Sequence, residues 1–257
     1  MFSYLFHVAL YQPLFNIFVG LYNIIPGHDV GVVIIIVTIL LRIVVYPLTA
    51  SSIKAQRSMQ ELQPKLEAIK KQYKDDQQKL AQATMELYKD HKVNPFTSCL
   101  PLLIQLPILI ALYWVMRDGL ASTNLSAQLY SFVSNPGTIN PISFGFFNLS
   151  HPNVILALLA GGAQFLQAKT MAQKMPPKDA GEGSKDESMA VMMNKQMLYM
   201  MPVMTALIGL RLPAGLTLYW FWSTILMALQ QMYISGKSKI LHPDKAVEKV
   251  IEGEIVK

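Results

Sequence analysis

Apolar positions along the chain are gathered into long blocks, and polar residues fill the gaps between them. A bilayer core of about 30 Å takes roughly 17 to 25 apolar residues as a helix. Five blocks approach or reach that scale: 31–50, 97–116, 152–171, 197–212 and 214–234. The fourth is short and Met-rich, and it meets the fifth at Leu212-Pro213-Ala214-Gly215, where Pro and Gly favour a sharp reversal. Residues 1–30 carry a narrower pattern. Leu10, Leu14, Ile17, Leu21 and Ile24 recur at steps of three and four, with Gln12, Asn16 and Asn23 largely off the stripe. This predicts an amphipathic helix lying on the outer interface, the alternative being a sixth span with the N-terminus inside. No positive charge precedes the stretch, so a secretory signal peptide is not expected.

The polar gaps differ in character. Over 51–96 the chain turns charged and Gln-rich, with Met59, Leu62, Leu66, Ile69 and Tyr73 on one helical stripe and Leu80, Leu87 and Tyr88 on another. Asp75-Asp76 separates the two, which predicts a helical hairpin. It serves either as a solvated spacer or as a platform for ribosomes, targeting factors or nascent chains. The segment 117–151 is polar, with turn signals at Asn135-Pro136-Gly137 and Asn140-Pro141 and a short helix predicted near 126–133. The loop 172–196 holds Pro176-Pro177 and Gly181-Glu182-Gly183-Ser184 and is flexible by composition, and 235–257 forms a tail.

Composition and charge sharpen the picture. Hydrophobic residues make up 52% of the 257 and charged ones 15%, against about 25% charged in a soluble domain. The formal net charge of +6 is distributed by topology. Nineteen of the 22 Lys and Arg fall in or beside 51–96, 172–196 and 235–257, whereas 117–151 holds only Arg117 and 1–30 holds none. The positive-inside rule then predicts an N-terminus outside and a C-terminus in the cytoplasm. The fold class expected is an all-α integral membrane protein: five transmembrane helices, a cytoplasmic helical hairpin and an N-terminal external amphipathic helix. Cys99 is the single cysteine, so no intrachain disulfide forms.

One ionisable side chain sits inside a predicted span. Arg42 lies within Val37-Thr38-Ile39-Leu40-Leu41-Arg42-Ile43-Val44-Val45-Tyr46-Pro47, and such a residue is costly in lipid unless it serves a purpose or snorkels. None of the five spans contains Asp or Glu. Water, carbonyls and neutral polar groups are left to solvate it: Thr38 one turn away, Gln105, Gln164 and Gln167 on other spans, and Gln230 and Gln231 near the end of the last. A wet, positively charged groove is the arrangement this predicts, although each Gln alone reads as an interhelical hydrogen-bonding residue. Met189, Met192, Met193, Met197, Met200, Met201 and Met204 form a second set at steps of mostly three and four. Core packing is its plain reading and a deformable surface for varied apolar partners its sharper one; copper ligation lacks any accompanying Cys or His. No metal-ligand spacing, phosphate-binding Gly loop or nucleophile triad occurs, so no cofactor and no enzyme activity are expected.

Arg42 with Tyr46-Pro47-Leu48-Thr49, Leu62-Gln63-Pro64-Lys65, Val93-Asn94-Pro95, Pro101-Leu102-Leu103-Ile104-Gln105-Leu106-Pro107, and Leu212-Pro213-Ala214-Gly215-Leu216-Thr217-Leu218-Tyr219-Trp220 together resemble the YidC family of membrane protein insertases. The match is ordered over about 30–235, and the form expected is the short one without a large periplasmic domain. The resemblance implies a five-helix core and a groove open to the cytoplasm and to lipid that contains the first-span arginine. It also implies Thr38 in the groove region and Tyr219 or Trp220 at the last-span contact with clients. The client-binding groove expected on all grounds comprises Arg42, Thr38, Gln105, Gln164, Gln167, Tyr219, Trp220, Met197, Met200 and Met204. The function expected is insertion and chaperoning of clients in the bacterial plasma (inner) membrane. Its partners would be nascent or newly made membrane proteins, the lipid bilayer, the ribosome and the Sec translocon, without sequence-specific nucleic acid binding. A small-solute transporter or channel, and a structural assembly factor, are the rival readings.

Overall fold

The structure is a computed structural model that describes residues 2–74, 76–94, 97, 100–121, 125–171 and 196–241. Helix α1 (Phe2–Phe6), a π-helical turn (His7–Tyr11) and α2 (Gln12–Ile24) run on as one rod. A turn with Gly27 at φ +80°, a conformation suited to glycine, leads to α3 (Val30–Glu61). Asp29 caps α3, its carboxylate accepting from the Gly31 and Val32 amides at 2.8 and 3.2 Å. The 32 residues of α3 span about 48 Å at 1.5 Å per residue. That exceeds a bilayer core of about 30 Å, so α3 carries on well past the apolar block 31–50 into the charged segment.

Pro64 stands in the first turn of α4 (Gln63–Gln72), where its missing N–H costs nothing, and α3 ends just before it. The stripe from Met59 to Tyr73 is therefore divided between two helices instead of forming one arm. Asp76 caps α5 (Gln77–Asp90), which packs on α4. Helix α6 (Leu100–Ala121) follows, then a small antiparallel hairpin of β1 (Ile142–Ser143) and β2 (Phe147–Asn148), and α7 (Val154–Met171). A second π-helical turn (Gln196–Met200) leads into α8 (Met201–Gly209), and α9 (Ala214–Leu241) closes the described chain.

Residues 126–133 form turns and not the helix predicted there. The Asn16 side chain explains the difference: it donates to the Gln128 carbonyl at 2.9 Å and accepts from the Tyr130 amide at 2.7 Å, engaging backbone groups that a helix would use. Helix α2 in turn presents three faces. Leu14, Phe15, Phe18, Val19 and Tyr22 are buried against α3 and α6, whereas Ile17 and Ile24 of the predicted apolar stripe are exposed beside them. The Asn16 and Asn23 edge is tied to the segment that follows α6.

The core gathers these α2 side chains with Val30, Val33, Ile34 and Val37 of α3, Leu112, Val115 and Met116 of α6, and Leu216 of α9. Small residues bring α7 close to its neighbours. A Cβ on Gly161 would stand 3.0 Å from the Pro202 carbonyl of α8, and one on Gly209 would stand 3.1 Å from Ala157. Such close approach is how helices associate where lipid removes the hydrophobic drive. Large apolar side chains face outward on α3, α6, α7 and α8, among them Val44, Leu103, Leu158 and Val203. Ser3–Ile24, Val30–Glu61 and Leu103–Leu120 are long and apolar enough to cross a membrane, and Val154–Thr170 and Leu198–Gly209 are shorter apolar helices.

Candidate functional site

Arg42 projects from α3 one turn before Pro47, whose ring interrupts the helical hydrogen-bond ladder. Its guanidinium meets α9. Nε and Nη2 donate to the Ser223 hydroxyl at 3.1 and 2.6 Å, and Nη1 approaches the Met227 thioether at 3.5 Å. Among the described residues Arg42 forms no ion pair; the three that occur are Arg57 with Glu61, Lys79 with Asp76, and Arg117 with Asp118. The charge is thus carried by neutral acceptors alone.

Beside the arginine, α3, α6 and α9 frame a small hollow of about 10 Å³, near the limit of what one water needs. Arg42, Thr49 and Gln105 give it polar walls, and Tyr219, Leu41, Val45, Pro101, Ile104 and Ile108 complete it. Gln105 comes from α6 and donates its amide to the Tyr219 hydroxyl at 2.7 Å. Tyr219 is 4% exposed, so this hydrogen bond satisfies a phenol that burial would otherwise leave costly. Ser223 lies one turn further along α9, near the same hydroxyl. A second hollow, also about 10 Å³, shares Tyr219 and has apolar walls including Phe18, Ile34, Val37, Leu112 and Leu216.

Polar ties close the Pro47 end of the first hollow. The Thr49 hydroxyl lies 3.1 Å from the Gln230 side-chain oxygen, and the Gln230 amide donates to the Tyr46 carbonyl at 3.2 Å. Gln231 accepts from Thr170 of α7 at 3.0 Å.

Of the expected groove residues, the structure brings Arg42, Gln105 and Tyr219 to one hollow. Thr38 is fully buried one turn away, its hydroxyl donating to the Ile34 carbonyl at 2.6 Å. Gln164 and Gln167 on α7, and Trp220 on α9, are half-buried and do not line the hollow. Met200 and Met204 are exposed, at 46% and 45%, and Met197 belongs to the π-helical turn before α8. Met189, Met192 and Met193 lie outside the described residues. Sequence reasoning missed Ser223 and Met227. Their signal was a four-residue step from Tyr219, which sets Tyr219, Ser223 and Met227 on one face of α9. No group of three or more His, Cys, Asp or Glu able to hold a metal occurs among the described residues.

Residues 17–240 match the family model described as 60Kd inner membrane protein. The membrane protein insertase YidC of Fusobacterium nucleatum subsp. nucleatum is 39% identical over 207 residues, covering 80% of this chain and 86% of that protein. The protein of the same name from Methylobacillus flagellatus is 36% identical over 227 residues, and that from Legionella pneumophila (strain Corby) 36% over 234. These alignments cover 88% and 91% of this chain but only 36% and 37% of the longer relatives.

Proposed function

Since the chain belongs to the YidC family of membrane protein insertases, we propose that it inserts newly made membrane proteins and helps them fold, using the hollow around Arg42 as part of a hydrophilic groove open to lipid. The observation that carries this reading is a guanidinium that, among the described residues, is held by a hydroxyl and a thioether and lines a partly polar hollow between helices. Such a cation offers a path and an attraction to the polar end of a client, while the client's apolar segment moves into lipid. Burial of that segment at about 25 cal/mol per Å² drives the step without a nucleotide. Unit charges about 4 Å apart attract by roughly 4 kcal/mol at an effective dielectric near 20. A fraction of that favours acidic tails.

The chain then sits in the plasma (inner) membrane as five spans, its N-terminus outside and its C-terminus in the cytoplasm. The exposed Met200 and Met204 fit a surface that accepts varied apolar segments. The hairpin of α4 and α5 is a platform for ribosomes, targeting factors or nascent chains.

Purified protein in otherwise protein-free liposomes, given single-span clients with acidic or neutral tails, tests the reading by protease protection of the translocated tail. Wild-type protein is expected to protect both, and Arg42→Ala to slow the acidic-tailed client about tenfold and the neutral one far less. Solute flux without tail protection would mark a transporter, and neither activity would mark a scaffold. Equal loss for both clients, with less protein accumulating, would make Arg42 a structural residue.

A further inference from the structure

We propose that Ser223 is a positioning residue for Arg42, holding the guanidinium so that its remaining donors receive a carboxylate of the client. The proposal rests on the insertase reading above and names what orients its cation. A guanidinium has five N–H donors, and a serine hydroxyl has two acceptor lone pairs. Nε and Nη2 both donate to Ser223, which fills those lone pairs and fixes one edge of the planar group against α9. One Nη1 donor faces Met227 at 3.5 Å, a weak contact. Two N–H groups, one on each terminal nitrogen, are left without a protein acceptor among the described residues. Donors on the two terminal nitrogens suit bidentate recognition of a carboxylate, and Arg42 lines the hollow.

Three features make Ser223 the orienting group and not a chance neighbour. It is 1% exposed, so water does not compete for its oxygen as it would at a surface. It is the sole oxygen acceptor that Arg42 has among the described residues, although Thr38, Gln105 and Gln230 lie on the same three helices. Thr38 donates to Ile34, Gln105 donates to Tyr219, and Gln230 meets Thr49 and donates to Tyr46, and none of the three bonds to Arg42 among the described residues. Loss of the serine oxygen would leave the guanidinium charged and in place but freer to turn, since the weak Met227 contact is the other acceptor it has among the described residues.

A double-mutant cycle in the liposome assay tests this, with tail protection as the readout and acidic- and neutral-tailed clients run in parallel. Ser223→Ala is expected to slow the acidic-tailed client about three- to tenfold, the size of one ordinary hydrogen bond, and to change the neutral one less than about twofold. Ser223→Thr, which keeps the hydroxyl, restores the acidic client's rate. In the Arg42→Lys background an ammonium has no planar edge to orient, so adding Ser223→Ala changes the rate less than about twofold. Three results would overturn the proposal alone: equal slowing of both clients, an undiminished Ser223→Ala effect in the Arg42→Lys background, or a Ser223→Ala protein indistinguishable from wild type. A wild-type protein that protects neither tail would instead overturn the insertase reading, and this proposal with it.

Discussion

At Asp29 burial and hydrogen bonding oppose each other. Burial disfavours the carboxylate, but donation from the Ser143 hydroxyl and from the Phe144, Val32 and Gly31 amides outweighs it and holds the pKa below the ordinary aspartate range. Two of these bonds, from the Ser143 hydroxyl and the Phe144 amide, fasten the hairpin to the start of α3, and a Cβ on Gly31 would collide with the Ser143 hydroxyl. A carboxyl whose pKa is lower folded than unfolded stabilises the fold above its unfolded pKa, and the contribution is lost as pH falls through the folded value. Wild-type protein in detergent should therefore lose melting temperature on acidification into and below the usual carboxylate range, and Asp29→Asn should flatten that part of the slope. Asp29→Ala should cost about 1 kcal/mol or more at neutral pH. An unchanged acid slope in Asp29→Asn would assign the effect to other carboxylates. Residue-level chemistry was legible in the sequence where charge stood against an apolar background, as at Arg42. Its partner was not, because a serine within an apolar helix has the same local signature whether it faces a neighbour or lipid. The glutamines looked the stronger candidates by donor and acceptor count, yet Gln105 donates to Tyr219, Gln230 meets Thr49 and Tyr46, and Gln231 meets Thr170.

Among the elements, hydrophobic blocks announced the helices and proline marked their breaks, but helix ends depended on contacts the sequence does not display. Helix α3 outruns its apolar block because Lys54, Arg57 and Gln60 are compatible with a solvated helix, and nothing before Pro64 stops it. The α1–α2 rod was legible as an apolar helix and not by the face it buries. Aromatic residues at Tyr11, Phe15, Phe18 and Tyr22 pack on protein, whereas the aliphatic periodicity reads as a face for the outer interface. Its ties to the segment after α6 bear on orientation. His7 meets Gln128 at 3.1 Å, Asn23 donates to Ser134 at 2.7 Å, and the Asn140 amide donates to the Tyr22 hydroxyl at 3.0 Å. Residues 7 to 23 cover about 24 Å of helix, so the rod runs beside that segment over much of its length. In a variant with Cys99 replaced, cysteines at Ser3 and the exposed Ser134 are expected to label from the same, outer side, and one at Ser184 only from the cytoplasmic side. Labelling of Ser3 from the cytoplasmic side would establish the sixth span.

For the molecule as a whole, outward-facing Val44, Leu103, Leu158 and Val203 put lipid in the place that water holds around a soluble protein. Polar groups are drawn inward, to the hollow of Arg42, Gln105 and Tyr219. An inner membrane must also keep its electrochemical gradient while it houses a polar recess. Tyr219 lines both the hollow of Arg42 and the apolar one, and Gln105 holds its hydroxyl. A hydrated ion that reaches Arg42 therefore faces an aromatic side chain and, lining the neighbouring hollow, Phe18, Val37 and Leu112, which offer no ligand. Resting proteoliposomes should hold a proton gradient as well as empty ones, and Tyr219→Ala should make them leak, read as collapse of an imposed pH difference. Tightness equal to wild type in Tyr219→Ala would place the seal on the apolar walls. One buried phenol would then serve as electrical insulation, letting a membrane keep a water-lined recess without discharging itself.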